Sequence, residues 1–329
     1  MNRARAAEEE IQTPGNGAIR HGAARVLESA DIRVDVVPEL GGKFISLYSK
    51  RTATEWLLPP LRPHAEAKTT GGFEDWDGGG FDECLPTVAA TETAPDHGEV
   101  WRHIWQEEVA EKALWLRTTA LGGAVAFERR ARLEGGSLVL DYAVENLSDR
   151  PRSLIYSAHP LLRVEQGDCI LLPAEVREVQ VEGSAADLLG RRGDRIAWPK
   201  QTTGEDLSVV GAPDGSQADK LFAGPVTDGW CALVRPSLDE GLELTFTSDV
   251  LPYLGLWICR AAWPESGAAK QYTVAFEPAS SPNDSLADAE RDGTAWRLAP
   301  GERREWRLQF RLGKRQEIEA HAGGANDRD

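Results

Sequence analysis

The chain has 329 residues, with 37 Lys and Arg against 53 Asp and Glu, and a net charge of −16. That acidity excludes a nucleic-acid binder, which needs a basic footprint to release counterions, and it argues against docking on anionic membranes. Hydrophobic residues make up 41%, enough for a sizeable core in one large β domain or two ordinary domains.

In chain order, residues 1–24 are charged, Gly-rich and aperiodic, and read as a flexible tail without the apolar run of a secretory signal. From residue 25 to 313 the dominant period is 2. In SLVLDYAVEN, Leu138, Leu140, Tyr142 and Val144 share one face, with Asp141 and Glu145 on the other. GLELTFTS alternates Leu242, Leu244 and Phe246 with Glu243, Thr245 and Thr247. In QYTVAFEP, Tyr272, Val274 and Phe276 oppose Gln271, Thr273, Ala275 and Glu277. EWRLQFRL alternates Trp306, Leu308, Phe310 and Leu312 with Arg307, Gln309 and Arg311.

Turn signals such as LEGGS, ENLSDRP, APDGSQ and LAPGE separate these segments. Only NDSLADAERDG reads as helical. Residues 314–329 read as a second tail. The pattern predicts an all-β chain: one large antiparallel sandwich over 25–313 with few short helices. No stretch approaches 18 consecutive apolar residues, so no spanning helix is expected. The four cysteines, at 84, 169, 231 and 259, form no CxxC and read as reduced thiols of a cytoplasmic protein.

Segment 59–107 breaks the alternation. It is rich in Gly, Pro, Asp and Trp, and a long irregular stretch of this kind reads as a binding loop. Within it, DWDGGGFDECLP carries Asp75, Asp77 and Gly80 in the order of a calcium loop. However, Gly79 and Pro86 stand where ligands are needed. His97 and His103 lack a third ligand nearby for zinc. No dinucleotide fingerprint, phosphate loop or nucleophile elbow is present. No metal and no cofactor is expected.

Polar residues in unusual settings remain as candidates. His159 lies in the apolar stretch LIYSAHPLLRV, at an expected strand end where Pro160 interrupts pairing. Glu277 ends an alternating run, just before Pro278. His97 lies in PDHGEVW within the irregular loop, and Asp219 in SQADKLFAG. A histidine suits acid–base work because its pKa lies near neutrality. The 11 tryptophans suit sugars, whose C–H faces stack on aromatic rings. Trp76 and Trp101 of the loop are the expected platform.

These words together resemble the galactose mutarotase-like (aldose 1-epimerase) superfamily. ELGGKFISLYSKRTATEWL resembles its opening motif, and GGGFDECLPTV and PDHGEVW resemble two loop motifs of its bacterial branches. AHPLLRV resembles the segment carrying the catalytic histidine, and VAFEP with LAPGERREW resembles the closing block with the catalytic glutamate. They occur in family order over residues 30–313. The resemblance implies a large antiparallel sandwich and a cofactor-free interconversion of α- and β-anomers. It implies Glu277 as general base, His159 as general acid, His97 near the ring oxygen and Asp219 on a hydroxyl. Glu83, Glu99, Trp76 and Trp101, from the irregular loop segment, are further substrate-binding candidates.

Here the acid histidine is followed by Pro-Leu-Leu and the glutamate by Pro278, so the hydroxyl-binding shell departs from the well-characterised branch. The expected partner is a small carbohydrate, with neither nucleic acid nor membrane, and the chain a monomer or homodimer. A carboxylate beside an imidazolium is expected to keep a low pKa and to raise the histidine's. Two rivals remain: a non-catalytic carbohydrate-binding or sensing protein, and a glycoside hydrolase or lyase. The latter would pair Glu277 with Asp82, Glu83 or Glu99.

Overall fold

The computed structural model describes residues 10–12, 24–62, 72–92, 94–202, 204–267 and 269–324. Most of the N-terminal segment read as a tail, part of the irregular loop (63–71) and residues 325–329 lie outside these. Strand accounts for 47% and helix for 10%. Among the described residues, a 12-stranded and an 8-stranded sheet pack face to face, and every strand pairing within them is antiparallel. No described helix is long and apolar enough to cross a membrane.

The alternation read from sequence is the alternation of burial. Val125–Glu134 buries every second residue. Leu138, Leu140, Phe246, Leu308 and Phe310 of the smaller sheet meet Val274, Phe276, Leu256 and Ile258 of the larger in one core that also takes in Leu27 and Leu47. The helix Leu286–Asp292 forms where NDSLADAERDG predicted it. Ser285 caps it by accepting from the Asp288 amide, and Gly293 ends it at φ 74°.

The strands that matter for function run side by side in the larger sheet: Lys43–Ser49, Phe81–Cys84, Ser157–Arg163, Tyr272–Ala279, Tyr253–Arg260 and Ala218–Ala223. Ser157–Arg163 and Tyr272–Ala279 are buried on both faces. One face meets the core; the other is roofed by the irregular loop.

Two expectations change here. Pro160 and Pro278 do not end their strands, which continue to Arg163 and Ala279. Proline lacks the amide needed for a ladder bond. Accordingly the two strands pair at Ser157↔Ala279 and again from Leu161↔Ala275, with no recorded pairing between. The second change is at the C-terminus. Residues 315–324, read as tail, form a helix whose Ile318 is fully buried against Trp230, Ala232 and Val234. One apolar residue in a charged run gives no periodic signal, and the helix docks through it together with His321, which stacks on Trp230 and lies 2.9 Å from Glu243 Oε2.

Candidate functional site

A cleft of about 290 Å³ opens on the larger sheet, on the side away from the core. The register on either side of the proline interruption carries His159 opposite Glu277. Both line this cleft. They stand as neighbours on its floor, because residues opposite in antiparallel strands lie close and point the same way. They therefore stand side by side on one face and not across a ring-wide gap from each other.

The walls come from other parts of the chain. Phe73, Asp96 and His97 come from the irregular loop, Lys220 and Trp257 from two adjacent strands where they pair with each other, and Trp263, Gln271 and Asp284 from the segments flanking Tyr272–Ala279. Gln271 is fixed at both ends of its amide: it accepts from Trp257 Nε1 at 2.9 Å and donates to the Gly78 carbonyl at 3.0 Å. The Asp284 carbonyl accepts from the Val88 and Ala89 amides at 3.0 and 2.7 Å, tying the two rim loops together.

His97 is presented by a strained turn. Its φ is 61°, and Gly98 follows at φ 74°. A Cβ on Gly98 would lie 2.2 Å from the Leu85 carbonyl oxygen, so only glycine fits this position. The His97 ring stacks on Phe73, with centroids 3.8 Å apart, and meets the His159 ring edge-on at 4.9 Å. Asp96 Oδ2 lies 3.1 Å from His97 Nδ1. The imidazole lowers the Asp96 carboxyl pKa against the opposing effect of burial.

The electrostatics reverse the expectation for the central pair. Burial raises the pKa of Glu277, outweighing the Lys220 ammonium bonded to its Oε2. Burial likewise pushes His159 well below 6.5, and the positive charge of His97, Lys220 and Lys43 adds to this. Desolvation favours the neutral form of both groups, and here it outweighs the stabilisation that a carboxylate and an imidazolium would give each other. Glu277 Oε1 and His159 Nδ1 are buried without hydrogen-bond partners.

Other sequence candidates fall outside the cleft lining. Trp101 is 1% and Trp76 3% exposed, in a satellite cluster with Val37 and Leu40. Trp101 Nε1 donates to the Asp96 and Gly98 carbonyls at 3.1 and 2.9 Å, so this ring clamps the His97 turn. The aromatic rings that line the cleft are instead those of Trp257, Trp263 and Phe73. Glu83 faces the space between the sheets, where Arg129, Tyr142 and Tyr156 donate to it at 2.7–2.8 Å. Glu99 accepts from the Leu121 amide at 2.9 Å. Asp219 is 2% exposed; burial raises its carboxyl pKa against hydrogen bonds from Ser184 and Gln217. Side chains alternate along a strand, so Lys220, not Asp219, reaches the cleft.

Sequence reasoning missed Lys220, Asp284, Asp96, Trp257 and Trp263. The available signal was the strand period: with Leu221 in the core, Lys220 had to face away from it. A second buried cluster lies beside this region on the same face of the sheet. Lys43 Nζ lies 2.7 Å from both Asp77 and Asp82, all three almost fully buried. Asp82, in register with His159, is pushed up to about 6 by burial, against the lowering effect of Lys43. No grouping of three His, Cys, Asp or Glu side chains suited to a metal occurs among the described residues.

Comparisons with known proteins agree with this architecture. A family model described as a domain of unknown function, DUF4432, matches residues 195–312. No curated protein matches the chain. Among solved structures, a candidate aldose 1-epimerase from Escherichia coli K12 superposes with TM-score 0.66 at 16% identity, covering 89% of this chain and 99% of that one. A galactose mutarotase-like protein from Lactobacillus casei gives 0.63 at 15%, covering 88% and 100%. Another from Clostridium acetobutylicum gives 0.62 at 13%, covering 94% and 100%. At these identities the likeness concerns fold: the chain has the galactose mutarotase-like fold.

Proposed function

We propose that the chain is a cofactor-independent aldose 1-epimerase acting on a sugar held between the Trp257, Trp263 and Phe73 rings. The observation that supports this most is the side-by-side placement of His159 and Glu277 on the cleft floor, at the one break in the pairing of their strands. Each has an unpartnered buried atom available to a ligand.

Glu277 accepts the proton of the anomeric hydroxyl, and His159 protonates the ring oxygen. The ring opens to the aldehyde, the C1–C2 bond rotates, and closure on the other face returns both protons. Atoms and charge balance over the cycle. A lowered pKa makes the His159 imidazolium a strong acid, and a raised pKa makes Glu277 a stronger base than an ordinary carboxylate. Each such group contributes on the order of 10² to 10⁴ in rate.

The hydrolase reading loses its three named partners for Glu277: Asp82, Glu83 and Glu99 all stand outside the cleft lining. The binding-protein reading has no need of an acid beside a base. The deciding experiment is exchange of anomers, followed by polarimetry and two-dimensional NMR exchange, with a panel of neutral and derivatised aldoses. Acceleration of at least one sugar, lost in Glu277→Gln, is expected. Binding without acceleration of any sugar would replace the epimerase reading with the binding-protein one.

A further inference from the structure

We propose that Lys220 is the positioning residue of this site, holding Glu277 ionised with its free oxygen turned to the cleft. This rests on the reading of Glu277 as the base. Lys220 Nζ bonds Glu277 Oε2 and lies 3.6 Å from Asp284 Oδ1. Its side chain is 11% exposed and Glu277 is fully buried. One ammonium therefore bridges two carboxylates at the cleft wall.

Without that cation a buried carboxyl is neutral, and a neutral carboxyl cannot accept the anomeric proton. The ion pair also fixes the carboxylate's rotation. With Oε2 taken by Lys220 and by Ser157 Oγ at 3.4 Å, Oε1 is left without a partner. Lys220 does not itself deliver a proton. Burial works to lower its pKa, but Asp284 and Glu277 outweigh this and raise it.

The strand lying between makes the contact possible. Ala218–Ala223 and Tyr272–Ala279 flank Tyr253–Arg260, whose Gly255 pairs with both Phe222 and Glu277. A Cβ at Gly255 would lie 3.0 Å from Glu277 Cβ. The missing side chain leaves room for Glu277 and the Phe222 ring beside the ion pair.

The charged and titratable groups around Glu277 come from every neighbouring element. They are Lys220 from its strand, Asp284 from the turn before the helix, Cys84 and His159 from the strands on the other side, and His97 from the loop. Lys220 and Asp284 act on Glu277 in opposite senses, the first lowering and the second raising its pKa.

The test uses the full chain carrying ¹³C-carboxyl glutamate, with the Glu277 signal assigned by its loss in Glu277→Gln. Lys220→Met is expected to move the Glu277 titration upward by roughly one pH unit or more, and Asp284→Asn to move it downward. Lys220→Arg should restore the wild-type position. In anomer exchange, Lys220→Met should lose about tenfold or more in kcat below neutral pH and recover as pH rises, with KM little changed. An unchanged Glu277 titration in Lys220→Met, or a loss equal at all pH values, overturns the proposal. The titration needs no turnover, so it decides the role of Lys220 even where no aldose is accelerated and the epimerase reading fails. Asp284→Asn keeps the test open if Lys220→Met does not fold.

Discussion

The Lys220 ammonium meets the Glu277 carboxylate across an intervening strand, over a residue without a side chain, Gly255. A methyl group there would stand 3.0 Å from Glu277 Cβ and 3.2 Å from the Phe222 ring. Gly255→Ala is therefore expected to shift Glu277 by a few tenths of an ångström and to lower anomer exchange by about tenfold, since small displacements of a reacting group are costly. Thermal unfolding should change little. Rates equal to wild type would show that the carboxylate tolerates displacement.

Glu277→Gln keeps the shape of the base and removes its function. Turnover is expected to fall by on the order of 10² or more, with sugar affinity, measured by calorimetry, largely kept. His159→Asn should act in the same way on the acid. Wild-type exchange in either variant would remove that residue from the mechanism.

The pH profile follows from the two shifts. Glu277, raised from 4.5, must lose its proton to act as base; His159, lowered from 6.5, must carry one to act as acid. The rate is expected to be bell-shaped, with its maximum on the acid side of neutrality. A rate flat from pH 6 to 8 would show that a neutral imidazole N–H suffices. The same histidine affects stability. Its folded pKa is depressed, so below 6.5 the unfolded chain takes a proton that the native state refuses. Its contribution to stability is lost as pH falls through 6.5, measurable as a lower denaturation midpoint.

The aromatic residues divide into two groups with different readouts. Trp257→Ala and Trp263→Ala, at the cleft wall, should weaken sugar binding by on the order of tenfold with small effects on stability. Trp101→Ala, in the satellite cluster, should cost about 3–5 kcal/mol in chemical denaturation, and should weaken binding only through the His97 turn it clamps. The reverse pattern would return the platform to the loop tryptophans.

The Lys43 triad is a stability element beside the cleft floor, on the same face of the sheet as His159. Lys43→Met leaves Asp77 and Asp82 buried together without their shared cation. Breaking such a cluster by removing one partner is expected to cost about 3–5 kcal/mol, read as a drop in the urea midpoint. Replacing Asp82 by Asn leaves the Lys43–Asp77 pair and should cost less.

Much of this molecule is legible from one period in its sequence. Alternation in QYTVAFEP puts Val274 and Phe276 on the core face and Glu277 on the other, and the structure keeps that assignment. The short helix from Leu286 to Asp292 is likewise legible, because its Ser285 cap and Gly293 terminator are local signals. The partners of Glu277 were not legible. Lys220 and Asp284 reach it from separate elements, and no spacing along the chain encodes that meeting.

Protonation followed the same rule. The sequence showed a carboxylate and an imidazole, but burial and the positions of Lys220, Lys43 and His97 decided in which direction each pKa moved. Tryptophan content announced aromatic surface, whereas packing decided that Trp76 and Trp101 would be covered and Trp257 and Trp263 would line the cleft. Local pattern determined which face of its strand each residue takes, because the side-chain period is a property of the backbone. The tertiary structure alone decided what each face would meet, because desolvation and charge depend on neighbours that folding brings from distant parts of the chain.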